Sequence, residues 1–327
     1  GGAGDQVTAW DWKTPTMVAS EVVRAGHSSI RVLSGLPDDQ AGFPVRILEG
    51  AVSEGVPAKD LLVAPEHSLF FEGRCVPARM LVNGVSVFFD HSLPSYEFYH
   101  IETEQHSVLI SDGMFSESYL DTGDRASFMQ EGTLVRLDTK GPRSWEEDAA
   151  AELTVSREFV EPLHRAIAAR AGVSEEATEL TTDADLHLMT DSGLTIRPAR
   201  ENNGHVMFMI PSGVDNVRIV SRASRPCDVV GPFVDDRRRL GVLIGEATLF
   251  EAGKTHSITA HLDGEALSGW QDVEEAGSAG RWTRSNAVLP LGGRQPNSIA
   301  LLSVKVLSSA QYVVDQNAGQ KSVAQAG

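Results

Sequence analysis

Imidazole and carboxylate side chains gather between positions 90 and 106, where His91, His100 and His106 lie near Asp90, Glu102 and Glu104. Such groups hold zinc when three or four converge at short, regular spacing. Here the spacing is irregular and the flanking runs read as strands, so neither a metal site nor a cofactor is expected. The two cysteines, Cys75 and Cys227, form no CxxC and no Cys/His zinc pattern. Two buried free thiols are the expectation, with a disulfide between them as the alternative. No nucleophile elbow, phosphate loop, HExxH helix, calcium loop or dinucleotide fingerprint is present. Further along stand Trp270, Glu274, Arg281 and Trp282. Two indoles can stack on sugar faces while Glu274 and Arg281 hydrogen-bond hydroxyls. The competing reading has both tryptophans filling a core and Glu274 paired with Arg281, the commoner fate of aromatics in strands. Asp235-Asp236-Arg237-Arg238-Arg239 carries opposite signs side by side, which are expected to neutralise one another locally. Asp121 and Asp124, around Thr122-Gly123, read as turn formers.

The frame that must position these groups is mainly β. Runs at 45–48, 61–63, 68–71, 78–82, 85–89 and 97–102 are rich in strand-forming residues and separated by Gly, Pro, Asn or Asp. Asn83-Gly84 between two such runs predicts a type I′ hairpin. Phe159, Val160, Leu163, Ile167 and Ala171 recur at helical spacing before Gly172, predicting one amphipathic helix over about 154–171 whose Arg157, Arg165 and Arg170 form a solvated face. Strand texture returns at 186–189 and 194–196, around the hairpin signal Asp191-Ser192-Gly193. It continues at 206–210, 217–220, 240–244, 257–262, 287–291 and 298–306. In the last run Ala300, Leu302, Val304 and Val306 alternate with Ser303 and Lys305, the period of a half-buried strand. The expected organisation is an all-β domain at 1–128, a helical connector at 129–180, an antiparallel β-sandwich at 181–315 and a frayed tail at 316–327.

The 327 residues carry a formal charge of −17, which argues against nucleic acid or an anionic membrane surface as a partner. The longest apolar runs fall far short of the ~20 residues that span a bilayer, so no membrane span is expected. The chain opens Gly1-Gly2-Ala3-Gly4 without Met and reads as a processed or trimmed piece of something longer.

Five segments occur in a telling order. They are Ala64-Pro65-Glu66-His67-Ser68-Leu69, Val76-Pro77-Ala78-Arg79-Met80-Leu81-Val82-Asn83-Gly84, Tyr99-His100-Ile101-Glu102, His106-Ser107-Val108-Leu109 and Glu117-Ser118-Tyr119-Leu120-Asp121-Thr122-Gly123-Asp124-Arg125. Upstream, Gly4-Asp5-Gln6-Val7 looks like a "G-D-x-V" turn, and Pro44-Val45-Arg46-Ile47 looks like the start of central strands. Over about 5–125 the chain resembles the bacterial Hint (Hedgehog/intein) family. The resemblance implies self-processing at the domain's upstream junction. A Cys or Ser heading the first strand attacks the preceding carbonyl, a histidine protonates the departing amine, and water or a hydroxyl compound resolves the ester. His67 matches that histidine, and His106 matches a second recurring one. Ala64 stands where the family has Thr or Ser. No Cys or Ser precedes Asp5, and Cys75 lies mid-domain, so the resemblance implies that the nucleophile is absent from this chain. The missing strand was removed, is a separate piece, or was lost along with activity. The implied partner is the N-terminal region of a parent polypeptide, and the implied location is extracellular or at the cell surface. The Trp270–Trp282 region, with its "G-W-x-x-x-E … R-W-T" pattern, resembles β-sandwich modules of bacterial surface-glycan proteins and implies a glycan or protein partner. The alternative is a non-catalytic scaffold or binding module that keeps the Hint fold.

Overall fold

The computed structural model describes residues 7–11, 16–20, 22–33, 35–123, 129–130, 142–173, 179–263, 267–273 and 279–314. The chain divides into two units, Gly1–Glu175 with Pro232–Asp235 and Glu176–Gly231 with Asp236–Gly327. Both are built mainly from antiparallel strands.

The first unit is organised around a seven-stranded sheet. Its order is Glu152–Leu153, Arg74–Pro77, Ser68–Phe71, Met114–Glu117, Val108–Ser111, Val7–Asp11 and Thr16–Ser20. Glu152–Leu153 joins in parallel and every other pair is antiparallel. A long ribbon pairs Val22–Arg31 with Ser95–Thr103, and a three-stranded sheet joins Leu61–Val63, Val45–Ile47 and Val87–Phe89. Its core gathers Ile47, Leu69, Val76, Met80, Leu81 and Met114.

The run predicted as a strand at 78–82 is a 3-10 helix, Ala78–Leu81. The reason is burial: all four of its side chains are covered, where a strand would turn alternate ones outward. The type I′ hairpin is also replaced. Asn83 is absent from the non-glycine residues with positive φ, as that turn requires, and only Gly84 adopts it, at 75°. The Asn83 side chain builds the loop instead, its Oδ1 accepting the N–H groups of Val85, Ser86 and Val87 at 3.0, 2.9 and 3.1 Å.

The predicted helix forms at Arg157–Arg170. Its Val160 and Ile167 are buried in the first unit's core, whereas the sequence reading treats 129–180 as a connector. Phe233 joins them from the returning segment Pro232–Asp235, within a region the sequence reading assigns to the second domain. The Phe233 ring lies 5.2 Å from that of His164, and the Arg157 and Arg165 guanidinium groups sit over it at 5.7 and 5.8 Å. Those two arginines also pair with Glu161 on the helix surface, so the face expected to be only solvated has a second use. Phe233→Ala is expected to destabilise the first unit by about 3 kcal/mol, read by chemical denaturation.

The second unit has a strand order Arg200–Asn202, His205–Ile210, Ala300–Ser309, Val242–Glu251 and Lys254–Ile258, with Arg281–Trp282 against Val242–Glu251. A four-stranded sheet runs Thr195–Ile196, His187–Thr190, Asn216–Val220 and Asn286–Pro290. Leu188, Ile219 and Leu289 of the smaller sheet share one apolar cluster with Phe208, Ile244 and Leu302 of the larger. Ala300, Leu302 and Val304 are buried and Leu301, Ser303 and Lys305 partly exposed, as their alternation predicts. The 191–193 turn closes by a Thr190 N–H to Leu194 carbonyl bond, with Gly193 at φ 84°.

Candidate functional site

His67 stands at the end of a turn between Leu61–Val63 and Ser68–Phe71. Its own N–H bonds the Ala64 carbonyl at 3.0 Å. The following 3-10 helix pins the turn: the Ala78 N–H donates to the His67 carbonyl at 2.9 Å and the Arg79 N–H to the Pro65 carbonyl at 3.0 Å. Backbone bonds on both sides thus hold the main chain at His67 in place. Protein crowds the ring and disfavours its charged form, which lowers its pKa, and Glu117 opposes this. About 31% of the side chain still reaches solvent, so the desolvation is partial. Among the described residues, neither ring nitrogen of His67 makes a hydrogen bond. At position 64 the side chain is a methyl group, with no hydroxyl to offer.

Glu117, last residue of Met114–Glu117, has a side chain only 12% exposed. One carboxylate oxygen accepts the Ser68 N–H at 2.7 Å and lies 3.9 Å from His67 Nδ1. The other lies 3.8 Å from His106 Nε2. His106 is engaged on both edges. The Ala150 N–H donates to its Nδ1 at 2.9 Å, which fixes the proton on Nε2, and that N–H donates to the Ser118 carbonyl at 2.9 Å. Its ring also meets Trp145 edge-on at 5.3 Å. The Ser118 side chain is held in turn: Thr103 Oγ1 donates to Ser118 Oγ at 3.0 Å, and Ser118 Oγ accepts the Ser107 N–H at 2.9 Å.

The structure therefore brings His67 and His106 to one carboxylate. Glu117 is the group that residue-type reasoning passed over. It opens the closing segment Glu117–Arg125, and its pairing with the His67 strand through Ser116 and Leu69 is a long-range feature no local pattern announces.

Residues 3–123 match the family model described as Hint domain. The chain carries a Hint domain. No curated protein and no solved structure matches. Within the Hint domain Cys75 is fully buried, on the strand next to that of Ser68–Phe71. Burial, helped by the Glu117 charge, pushes its thiol up to about 12. Iodoacetamide at pH 8 is expected to label Cys227, which is partly exposed, and to spare Cys75 until denaturant is added. Rapid native labelling at Cys75, read by peptide mass, would contradict its assignment as an inert thiol. The two cysteines form no disulfide with each other, as expected, but Cys227 is not fully buried, because it lies on the short helix Pro226–Val229, which has no buried residue.

The other histidines of the Hint domain are dispersed. His91 pairs with Asp38 at 3.0 Å, while His100 packs between the rings of Phe98 and Tyr119 at 4.7 and 4.9 Å. Among the described residues no group of three or more His, Cys, Asp or Glu side chains is placed to hold a metal ion. Among them, too, no helix is long and apolar enough to cross a membrane. Asp121 accepts the Gly123 N–H at 3.1 Å in a local turn, and Asp124 lies outside the described residues. Of the acidic and basic run at 235–239, Asp236 pairs with Arg238 at 2.7 Å, whereas Asp235 reaches Arg79 at 2.9 Å.

In the second unit, Trp270 is 3% exposed and its indole N–H donates to the Val288 carbonyl at 2.7 Å. Gly269 sets it there. At φ 83° its Cβ would stand 1.8 Å from the Asn286 carbonyl oxygen, so only glycine lets the chain pass beneath that strand. Arg281 is 5% exposed and donates to the main-chain carbonyls of Gln271 and His261 at 2.5 and 3.2 Å. Their polar groups serve the interior, which supports the packing reading over a sugar-stacking face for these two. Trp282 is partly exposed, and Glu274 lies outside the described residues.

Proposed function

We propose that this chain is the self-processing module of a larger, surface or secreted polypeptide, cutting the peptide bond at the junction upstream of its Hint domain. The observation that carries this reading is His67: in a matched Hint domain, an imidazole borne on a turn pinned by backbone bonds, partly open to solvent, with no hydrogen bond to either ring nitrogen among the described residues. The nucleophile is a Cys or Ser heading a strand upstream of the G-D-x-V segment, whose expected turn at Gly4, Asp5 and Gln6 lies outside the described residues. Its sulfur or oxygen gives its proton to solvent water and bonds to the preceding carbonyl carbon. The C–N bond breaks, and the nitrogen takes a proton from His67 to leave as a neutral amine. Water then adds to the thioester or ester, which restores the nucleophile and frees a carboxylic acid. Cys75 takes no part, being buried and held as a thiol. Ala64 offers no hydroxyl to the scissile amide, so the reaction is slow.

A second reading, a scaffold that keeps the Hint fold without cleavage, is favoured by that same methyl group. In either case the second unit serves as a sandwich-type docking or glycan-contact module, with Trp282 and Glu274 as its remaining candidate contacts.

The test extends the full chain upstream with a Cys-headed strand and follows its intact mass. Slow release of the upstream segment, absent with Ala at the strand's head, supports processing. No release even with Ala64→Thr supports the scaffold. Equal release in wild type and His67→Ala removes His67 from the mechanism.

A further inference from the structure

Glu117 is a mostly covered carboxylate, and among the described residues no Lys or Arg pairs with it. Its contacts are one backbone N–H and two imidazoles. An ionised carboxylate kept in such a place is costly unless a positive charge arises beside it. Only one of the two rings can supply that charge readily. Protonating His106 would put a proton on Nδ1, which already accepts the Ala150 N–H, and would break that bond. His67 has no such bond to lose.

We propose that Glu117 is the positioning residue for His67: its carboxylate, clamped by the Ser68 N–H, lies against Nδ1 and balances the charge of the ring while it carries the proton destined for the leaving amine. His106 is then a fixed neighbour that walls off the far oxygen. The ionisable groups around His67 are Glu117 on its strand, Cys75 on the strand beyond Ser68–Phe71, His106 behind the carboxylate, and Glu66 with Arg79 at the turn. Cys75 stays neutral, and Glu66 and Arg79 offset each other at 3.2 Å, so Glu117 supplies the charge that the ring senses. Burial alone would keep a crowded imidazole neutral; the carboxylate works against it. During the step Glu117 stays ionised: one proton moves from His67 to nitrogen, and none comes from the carboxylate.

The inference rests on the processing reading for its purpose, but its first test does not need cleavage. In the full chain as it stands, an NMR titration follows the His67 ring carbons and the Glu117 carboxyl carbon. Beyond its own titration, the Glu117 carbon is expected to inflect again at the His67 midpoint, and Glu117→Gln is expected to lower that midpoint. An unchanged midpoint in a folded Glu117→Gln variant overturns the proposal. Should that variant not fold, absence of the shared inflection in the unaltered chain overturns it instead. In the Cys-headed chain, Glu117→Gln is expected to slow release on the order of tenfold to a hundredfold, the cost of losing a group that orients a working histidine. Glu117→Asp is expected to recover part of the rate. If His67→Ala abolishes release while Glu117→Gln matches wild type in rate and pH profile, Glu117 falls and the processing reading stands. If His67→Ala releases normally, His67 falls from the mechanism and the titration alone judges the pairing.

Discussion

Replacing His67 with Ala in the Cys-headed chain is expected to slow release on the order of 10²- to 10⁴-fold, the usual worth of a placed acid or base. An amine is a poor leaving group until it gains a proton, and His106 cannot stand in, because both of its nitrogens are engaged by backbone groups. The pH profile carries a second signature. Crowding lowers the His67 pKa, so its acid form is lost below the ordinary histidine range. The rate-limiting proton donation is therefore expected to fade as pH rises through that lowered value, and the His67→Ala profile is expected to lack this limb. The same shift has a stability consequence. The unfolded chain binds the His67 proton more readily than the folded one, so the contribution of neutral His67 is complete above about 6.5 and is lost as pH falls towards the lowered value. His261, lowered mainly by burial, acts in the same direction in the second unit. Mild acid is thus expected to weaken both units, measured as a falling melting temperature between pH 7 and 5.

Arg294→Ala is expected to lower the melting temperature of the second unit on the order of 10 °C in scanning calorimetry. Arg294 is almost wholly covered and donates to the Glu251 carboxylate at 2.9 Å and to the carbonyls of Val214, Pro211 and Ser298 at 2.7, 3.3 and 2.9 Å. Glu251 also accepts the Gln295 N–H at 3.0 Å. One guanidinium therefore ties together segments that are distant in sequence. Removing it strands a covered carboxylate and several carbonyls at once. The backbone bond from Gln295, more than Arg294 itself, holds the Glu251 pKa down, so its contribution is present above the ordinary glutamate range and disappears as pH falls through the lowered value. Arg294→Lys is expected to recover only part of the loss, because an ammonium group cannot serve four acceptors in a fork. A variant melting within a degree of wild type would show the network to be dispensable.

Strand texture was readable wherever one face alone is buried, as at Ala300–Val304, because alternation records which face meets the core. It misled at 78–82, where an apolar run is covered on all sides and period carries no information. The asparagine loop was missed for a related reason: Asn-Gly marks a turn, but whether backbone or side chain closes it depends on the strands it joins. In the site, His67 and His106 stood out through ordered motifs, whereas Glu117 was only part of a pattern. Its role depends on strand pairing between positions 69 and 116, information that resides in tertiary structure. Trp270 illustrates the converse, since an indole suited to sugar is equally suited to a core, and the glycine before it decides which.

The phenylalanine at position 233 has a consequence for how this protein can be taken apart. A fragment cut at the family boundary, residue 123, keeps His67 and Glu117 but forfeits the helix and the ring that seal its underside. Such a piece would display an oily socket and invite clumping. A gene fusion that borrows the segment as a ready-made cassette would inherit the wound along with the motif.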